Sequence, residues 1–149
     1  YQILDIILSI MERNFRNVEI QLRTLRIVAN LSKHNKSSTN DQDIKKNAGL
    51  FLTPQVNKIV PIVTESLHAH TPEIGIQRTG CEILEYLSLI DSNIPVLSKF
   101  GGIGAARTIM AAGKNINEVN QMGLSLLATL VLDGEQNLGE LIPPKEGKK

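Results

Sequence analysis

Three stretches of the chain repeat one pattern of apolar and small residues. They read IQLRTLRIVANLS from residue 20, IQRTGCEILEYLS from residue 76 and VNQMGLSLLATLV from residue 119. In every copy positions 1, 8, 9 and 12 are apolar, and position 5 is Thr24, Gly80 or Gly123. These positions fall on one side of a helix with about 3.6 residues per turn. The pattern therefore predicts three amphipathic helices, each of which buries one stripe of side chains.

The spacing of the copies predicts a repeat protein. Their starts are separated by 56 and 43 residues, and a period of about 40 residues is typical of stacked helical units. One such unit cannot bury its stripe alone, whereas stacked units share a continuous core. Glycine inside a helix costs about 1 kcal/mol relative to alanine. The small residue at position 5 therefore indicates close approach of a neighbouring helix, with chance as the alternative.

The segments before and after the first copy predict further elements. Residues 3–11 form an apolar helix, which looks like the second helix of a unit whose first helix is missing. Residues 34–43 are polar and lack periodicity, so we predict a surface loop that accounts for most of the longer first interval. That loop is either merely tolerated or has a binding or regulatory role.

The later units have start and stop signals. Residues 43–51 can form a short first helix, and Thr53-Pro54 has the composition of a helix start. Pro61 is expected to kink the following helix or delay its start. Asp133-Gly134 is predicted to end the last long helix, and residues 137–142 resemble the start of another unit. Both ends are thus expected to be cut within a repeat, in a fragment of a longer solenoid or a short one with irregular caps.

The repeated pattern resembles the third helix of an armadillo repeat, roughly V-Q-x-x-A-A-W-A-L-x-N-L-A. The matching pairs, in order, are Ile76-Gln77, Gly80-Cys81, Ile83-Leu84 and Leu87-Ser88. The stretch NIPVLSKFGGI at residues 93–103 looks like the family's first helix and Gly-Gly-Ile turn, which opens a second helix over residues 103–112. The resemblance covers most of the chain, and HEAT repeats, which share the period, are the second choice.

This resemblance implies an all-α, right-handed α-solenoid of stacked three-helix repeats. The implied division is an armadillo-like domain at 1–142, consisting of a partial repeat at 1–43, repeats at 44–92 and 93–135 and a partial repeat at 136–142, followed by a flexible tail at 143–149.

The resemblance also implies a concave groove lined by the third helices. The family's groove asparagine at position 11 is matched by Asn30, whereas Tyr86 and Thr129 stand at that position in the other copies. The family's groove tryptophan is replaced at position 7 in all three copies. With residues one turn away, the candidate groove set is Arg23, Arg26, Asn30, Thr79, Glu82, Tyr86, Met122, Ser125 and Thr129.

Two residue types in this set favour particular partners. Tyr86 is the strongest candidate anchor, because it combines rigid apolar area with a polar tip. Arg23 and Arg26 would repel a basic peptide, so an importin-like reader of basic nuclear-localisation peptides is not expected. An extended or helical segment of another protein, acidic in character, fits these arginines better.

Composition narrows the function classes. Hydrophobic residues make up 42% and aromatic residues 3% of the chain, so the core is expected to be aliphatic. The net charge of +1 gives no general attraction to nucleic acid or anionic membranes. The single cysteine excludes an intrachain disulfide framework, and no apolar run reaches the roughly 20 residues of a transmembrane helix. A reducing compartment, the cytoplasm or the nucleus, is the expected location.

No constellation predicts catalysis. His68 and His70 lie in a predicted turn without further metal-ligand pairs, so we expect solvated turn histidines. Cys81 fits a packing cysteine, with a reactive thiol as the alternative. Residues 101–104 are glycine-rich but lack the GK[ST] ending and preceding strand of a phosphate loop. We expect no enzyme activity, no cofactor and no metal ion.

The expected function is noncatalytic protein binding, as a scaffold or adaptor. The alternatives are a structural spacer within a larger multidomain protein, and a helical domain that binds a small ligand or acts as an enzyme. Nucleic acid is not an expected partner. We also expect self-association through exposed end repeats, since the helix at residues 3–11 otherwise exposes apolar surface.

Overall fold

The described part of the chain is helical throughout. The computed structural model describes the backbone of residues 2–33 and 52–141, with side chains in 2–31 and 52–132. These described residues contain no strand. The helices are α1 (Gln2–Arg13), α2 (Val18–Lys33), α3 (Val56–Ala69), α4 (Ile74–Ser88), α5 (Ile94–Lys99), α6 (Gly102–Ala112) and α7 (Asn117–Leu141), with 3-10 turns at Thr53–Gln55 and Asp91–Asn93. The prediction of an all-α fold is confirmed.

The long helices form three pairs of the same build: α1 with α2, α3 with α4, and α6 with α7. Corresponding residues lie 56 and then 43 residues apart, which are the intervals of the sequence pattern. In the turn within each pair, an amide donates to the carbonyl three residues earlier: Asn17 to Asn14 at 2.9 Å, Glu73 to His70 at 3.0 Å and Ile116 to Gly113 at 2.8 Å. We call these pairs units 1, 2 and 3.

A side-chain amide fastens the two helices of each unit. In unit 1 the amide of Gln21 donates to Met11 O at 2.8 Å and to Asn14 O at 3.2 Å. In unit 2 the amide of Gln77 donates to Leu67 O at 2.8 Å and to His70 O at 3.0 Å. In unit 3 the amide of Asn120 donates to Met110 O at 3.2 Å. The last carbonyls of an α-helix have no partner within the helix, and these amides satisfy them. Asn120, one methylene shorter than glutamine, has one such bond where the glutamines have two.

The small residue one turn later allows the same close approach. A methyl group on Gly80 would lie 2.6 Å from Cδ2 of Leu67, and one on Gly123 would lie 2.7 Å from Cγ of Met110 and 3.1 Å from the carbonyl oxygen of Ala106. All three distances are shorter than van der Waals contact. With a side chain at Gly80 or Gly123, α4 or α7 could not approach the preceding helix as closely without a shift of the neighbouring atoms. The prediction of close approach is confirmed at the two glycines.

The turn before α6 also requires glycine. Gly101 has φ of 86°, in the left-handed region that disfavours side chains. At Gly102 a methyl group would lie 2.7 Å from the carbonyl oxygen of Leu97. The chain can therefore leave α5 and start α6 within two residues.

The units contact one another in chain order. Helix α3 packs against both α1 and α6, and α4 packs against both α2 and α7. A polar bond crosses the first junction, where Ser66 Oγ donates to Gln21 Oε1 at 2.9 Å. At the corresponding place in the second junction Ile109 replaces serine, and the buried Gln77 Oε1 has no hydrogen-bond partner.

One predicted core residue is exposed. Ile27 was expected in the buried stripe, but its side chain is 44% exposed, whereas the corresponding Ile83 and Leu126 are fully or almost fully buried. Helix α4 packs between α2 and α7, the corresponding helices of units 1 and 3, whereas α2 packs only against α4 among these three. The side of α2 that faces away from unit 2, where Ile27 lies, is therefore exposed.

One boundary prediction is wrong, and one of the two effects predicted for Pro61 is excluded. Helix α3 begins at Val56, five residues before Pro61, so the proline does not delay its start. The hydrogen bond that proline cannot donate is offset by burial of Ile59, Val60 and Val63 around it. Helix α7 continues through residues 133–134 to Leu141, because a lone glycine lowers helix stability by only about 1 kcal/mol. The predicted loop at 34–43, the helix at 43–51 and the tail at 143–149 lie largely or wholly outside the described residues.

We expect Gly123→Ala to destabilise the protein by about 1–3 kcal/mol, the usual cost of overpacking. The added methyl group would meet backbone atoms of α6, which cannot move aside as a side-chain end can. Gly104→Ala is the matched control, because its methyl group would lie 3.8 Å from the nearest atoms and should raise stability by about 1 kcal/mol through helix propensity. Urea unfolding measures both, and equal effects would contradict the close approach.

We expect Ser66→Ala to lower the free energy of unfolding by about 1–3 kcal/mol, because it leaves the buried Gln21 Oε1 without a donor. Ser98→Ala, at an exposed position of α5, controls for the general effect of replacing serine in a helix. Thermal and urea unfolding would measure the difference, and similar stability of the two variants would refute a structural role for this bond.

Candidate partner-binding groove

A groove of about 540 Å³ runs between α4 and α7. Its lining combines apolar, hydroxyl and charged side chains: Arg78, Glu82, Glu85, Tyr86, Ser88, Leu89, Glu118, Met122, Ser125, Leu126 and Thr129. Three carboxylates and one guanidinium make the charged part of this lining acidic.

Helical spacing places each wall of the groove on one face of a helix. On α4, Glu82, Tyr86 and Leu89 follow one another at intervals of four and three residues. On α7, Glu118, Met122, Ser125 and Thr129 follow at intervals of four, three and four. Residues three and four apart are neighbours on a helix surface, so packing α4 beside α7 brings these two rows together.

An ion pair joins the two walls near the amino-terminal ends of the helices. Arg78 Nη2 lies 3.2 Å from Glu118 Oε2, and both side chains are substantially exposed. Exposed pairs of this kind contribute little to stability. The pair does, however, link the two walls at one end of the groove. The region around Tyr86, further along the helices, remains accessible.

Tyr86 is half-buried in the wall of the groove that α4 forms. Its hydroxyl donates to Glu82 Oε1 at 2.9 Å, one helical turn earlier. Burial, then the hydrogen bond to Glu82 and the negative charges of Glu82 and Glu85, raise the pKa of Tyr86 well above its usual value. The phenol therefore stays protonated at neutral pH and presents its ring to the groove with the hydroxyl already bound to a carboxylate.

Five of the sequence-predicted groove residues line this one groove: Glu82, Tyr86, Met122, Ser125 and Thr129. Thr79 does not, because it is buried and its hydroxyl donates to Gly75 O at 2.8 Å. Thr79 therefore lies outside the lining of this groove, and its part in partner binding stays a prediction.

The three candidates on α2 lie apart from the groove. Arg23, Arg26 and Asn30 are exposed and do not belong to its lining. The guanidinium of Arg23 is 2.6 Å from the carboxylate of Glu19 on the same helix. The acidic partner segment was predicted from these arginines, but the charges that line the groove itself have the opposite sign.

Sequence reasoning missed six of the lining residues: Arg78, Glu85, Ser88, Leu89, Glu118 and Leu126. A usable signal was present for five. Arg78, Glu85, Leu89, Glu118 and Leu126 each stand three or four residues from a predicted member on the same helix. Only Ser88 does not, and it lines the groove because α4 and α7 pack side by side.

The histidine prediction is wrong for His70. This side chain is buried, with Nε2 2.7 Å from the carbonyl oxygen of Phe15 and its ring 6.1 Å from the Phe15 ring. Since a carbonyl only accepts, Nε2 carries the proton. His70 thus joins the turn of unit 2 to the turn of unit 1, whereas His68 is exposed and its Nδ1 lies 2.9 Å from Thr108 Oγ1.

Cys81 is a packing residue. It is fully buried in the core, and burial, with the charges of Glu85 and Glu82, raises the pKa of its thiol. A thiol becomes nucleophilic as the thiolate, so this environment works against reactivity.

Residues 2–33 and 52–141 support neither a metal-binding site nor a membrane-spanning helix. Within those residues, no group of three histidine, cysteine or acidic side chains could hold a metal ion. Every helix described there falls short of the length or hydrophobicity needed to cross a bilayer.

Comparison with known proteins adds no identification. No family model, no curated protein and no solved structure matches this chain. What the chain does must therefore be argued from its own residues and geometry.

We expect the phenol of Tyr86 to ionise above pH 10, the usual value for tyrosine, because its pKa is raised in the folded protein. The neutral phenol then contributes stability that is complete below about pH 10 and is lost as pH rises further. Ultraviolet titration of the wild type minus Tyr86→Phe isolates this group.

Glu82→Gln should lower that midpoint, because it removes the charge next to the phenol. Glu12→Gln, on the exposed side of α1, is the control for loss of a distant carboxylate. A midpoint near 10 in the wild type that neither variant shifts would contradict the described environment of Tyr86.

Proposed function

We propose that this chain is an armadillo-like, right-handed α-solenoid and that it acts as a noncatalytic protein-binding scaffold. The α4–α7 groove is the proposed binding site for a segment of a partner protein. The observation that carries the proposal is the half-buried Tyr86 in an open groove between corresponding helices of two repeated units.

Three features support the repeat architecture. The amide that joins the two helices and the turn hydrogen bond recur in all three units, and the close approach one turn after the amide recurs in units 2 and 3. Neighbouring units also meet through corresponding helices. Repeat proteins of this kind commonly present extended surfaces to partners, and an irregular helical bundle would have no reason to repeat these contacts.

The groove has the composition of a recognition site. It has a volume of about 540 Å³, and apolar, hydroxyl and charged side chains line it. Tyr86 offers a rigid aromatic surface, and Met122 on the opposite wall offers a thioether that adapts to different shapes. Together they would bury one apolar side chain of the partner.

The charges around this apolar centre favour a partner segment that carries lysine or arginine. Glu82 and Glu118 flank it on the two walls, and Glu85 also lines the groove. Charge complementarity raises association rates and excludes like-charged partners. We therefore propose a basic rather than an acidic segment for this groove, which reverses the preference inferred from Arg23 and Arg26.

We expect Tyr86→Ala to weaken partner binding at least tenfold, because truncating a buried aromatic anchor at an interface costs about 2 kcal/mol or more. Asn30→Ala is the matched control, since Asn30 holds the corresponding position on α2 outside the groove. Affinity purification with wild type and both variants identifies partners, and titration calorimetry on a recovered partner gives the change in Kd.

Glu118→Lys tests the charge preference in the same assay. It should weaken a basic segment and leave circular dichroism and melting temperature nearly unchanged, because Glu118 is exposed. A partner list and affinities that neither Tyr86→Ala nor Glu118→Lys alters would refute the groove as the binding site and favour a structural spacer.

A further inference from the structure

Unit 1 exposes a row of isoleucines on one side. The exposed fractions are 66% for Ile3, 60% for Ile6 and 39% for Ile10 on α1, and 44% for Ile27 on α2. Large aliphatic side chains exposed together are characteristic of interaction sites. We call this surface the leading face.

In the later units the corresponding positions are buried or partly buried. Unit 2 has the buried Ile59, Ser66 and Ile83 and the partly buried Ile62, and unit 3 has the buried Gly102, Ala105, Ile109 and Leu126. Units 2 and 3 differ from unit 1 in that another unit precedes each of them. At the first junction α1 packs against α3 and α2 against α4, and at the second α3 packs against α6 and α4 against α7. The leading face is therefore the side of a unit that a preceding unit covers.

Unit 3 exposes the complementary side. Leu124 is 51% exposed and Val131 is 38% exposed on α7. At the position of Leu124, units 1 and 2 have Leu25 and Cys81, both fully buried, and at the position of Val131 unit 2 has the buried Ser88. Units 1 and 2 are each followed by another unit, so this trailing face is the side that a following unit covers.

The two faces are thus the two halves of a junction that the chain already makes twice. We propose that a second copy of this chain docks its leading face on the trailing face, continuing the stack head to tail. The argument rests on continuity with the two internal junctions, since every exposed aliphatic position named here is a contact position elsewhere in the same chain.

One residue makes the intermolecular junction weaker than the internal ones. Arg107 on α6 is exposed where units 1 and 2 have the buried Leu8 and Thr64. A long arginine side chain can keep its guanidinium in water at the rim. The association is therefore expected to be reversible and concentration-dependent.

Head-to-tail contacts have a recognisable consequence. Different surfaces meet, so each added copy still offers one free leading face and one free trailing face. A pairing of two leading faces would instead close at a dimer. The proposal accordingly predicts growth beyond the dimer as concentration rises.

The test uses sedimentation equilibrium on the 149-residue chain and two variants, Ile6→Lys on the leading face and Leu124→Lys on the trailing face. Wild type should show an average mass that rises past that of a dimer. Each variant alone should remain largely monomeric. An equimolar mixture of the two should recover dimers and no larger species, because only one intact pair of faces remains.

Glu12→Gln is the matched control, with the same change in charge at a position that is exposed in all three units. It should associate as the wild type does, and circular dichroism should verify that all variants are folded. A wild type that stays monomeric from micromolar to millimolar concentration would overturn the proposal. So would dimers that survive Leu124→Lys but not Ile6→Lys, since these would pair two leading faces.

Discussion

The structure depends on how the second helix of each unit meets the end of the first. Gln77 donates to the carbonyl oxygen of Leu67, and Gly80, one turn later, makes room for the side chain of that same leucine. Asn120 and Gly123 do the same to Met110. A polar bond to an otherwise unsatisfied helix end and a close apolar contact thus act on one residue. Either feature alone would leave the crossing of the helices less well defined.

Stacking of these units accounts for the groove. Because α4 and α7 hold corresponding places in units 2 and 3, they lie side by side, and the side chains between them line the groove. Position 11 holds Tyr86 on one wall and Thr129 on the other. With Glu82, Glu85 and Glu118 they make the surface of the groove aromatic, hydroxyl-bearing and acidic. The proposed recognition of a basic segment follows from these side chains and not from the architecture.

The second junction contains a defect that the first does not. Between units 1 and 2, Ser66 donates a hydrogen bond to Gln21 Oε1. Between units 2 and 3 the corresponding residue is Ile109, whose side chain cannot donate, so Gln77 Oε1 has no donor. An unsatisfied buried carbonyl costs about 1–3 kcal/mol, while the isoleucine adds apolar burial in exchange. The units are therefore alike in geometry but unequal in how they bind their neighbours.

The sequence alone determined the helices and their equivalence, because amphipathic spacing and the position of small residues follow directly from 3.6 residues per turn. It also identified Glu82, Tyr86, Met122, Ser125 and Thr129, which share helix faces. Only the tertiary structure decided that Thr79 is buried, that Ile27 is exposed, that His70 is enclosed beside Phe15 and that α7 continues past residue 134. Those outcomes depend on which side of a helix has a neighbour and how closely it packs. Helical periodicity specifies the direction of a side chain, but not what stands opposite it.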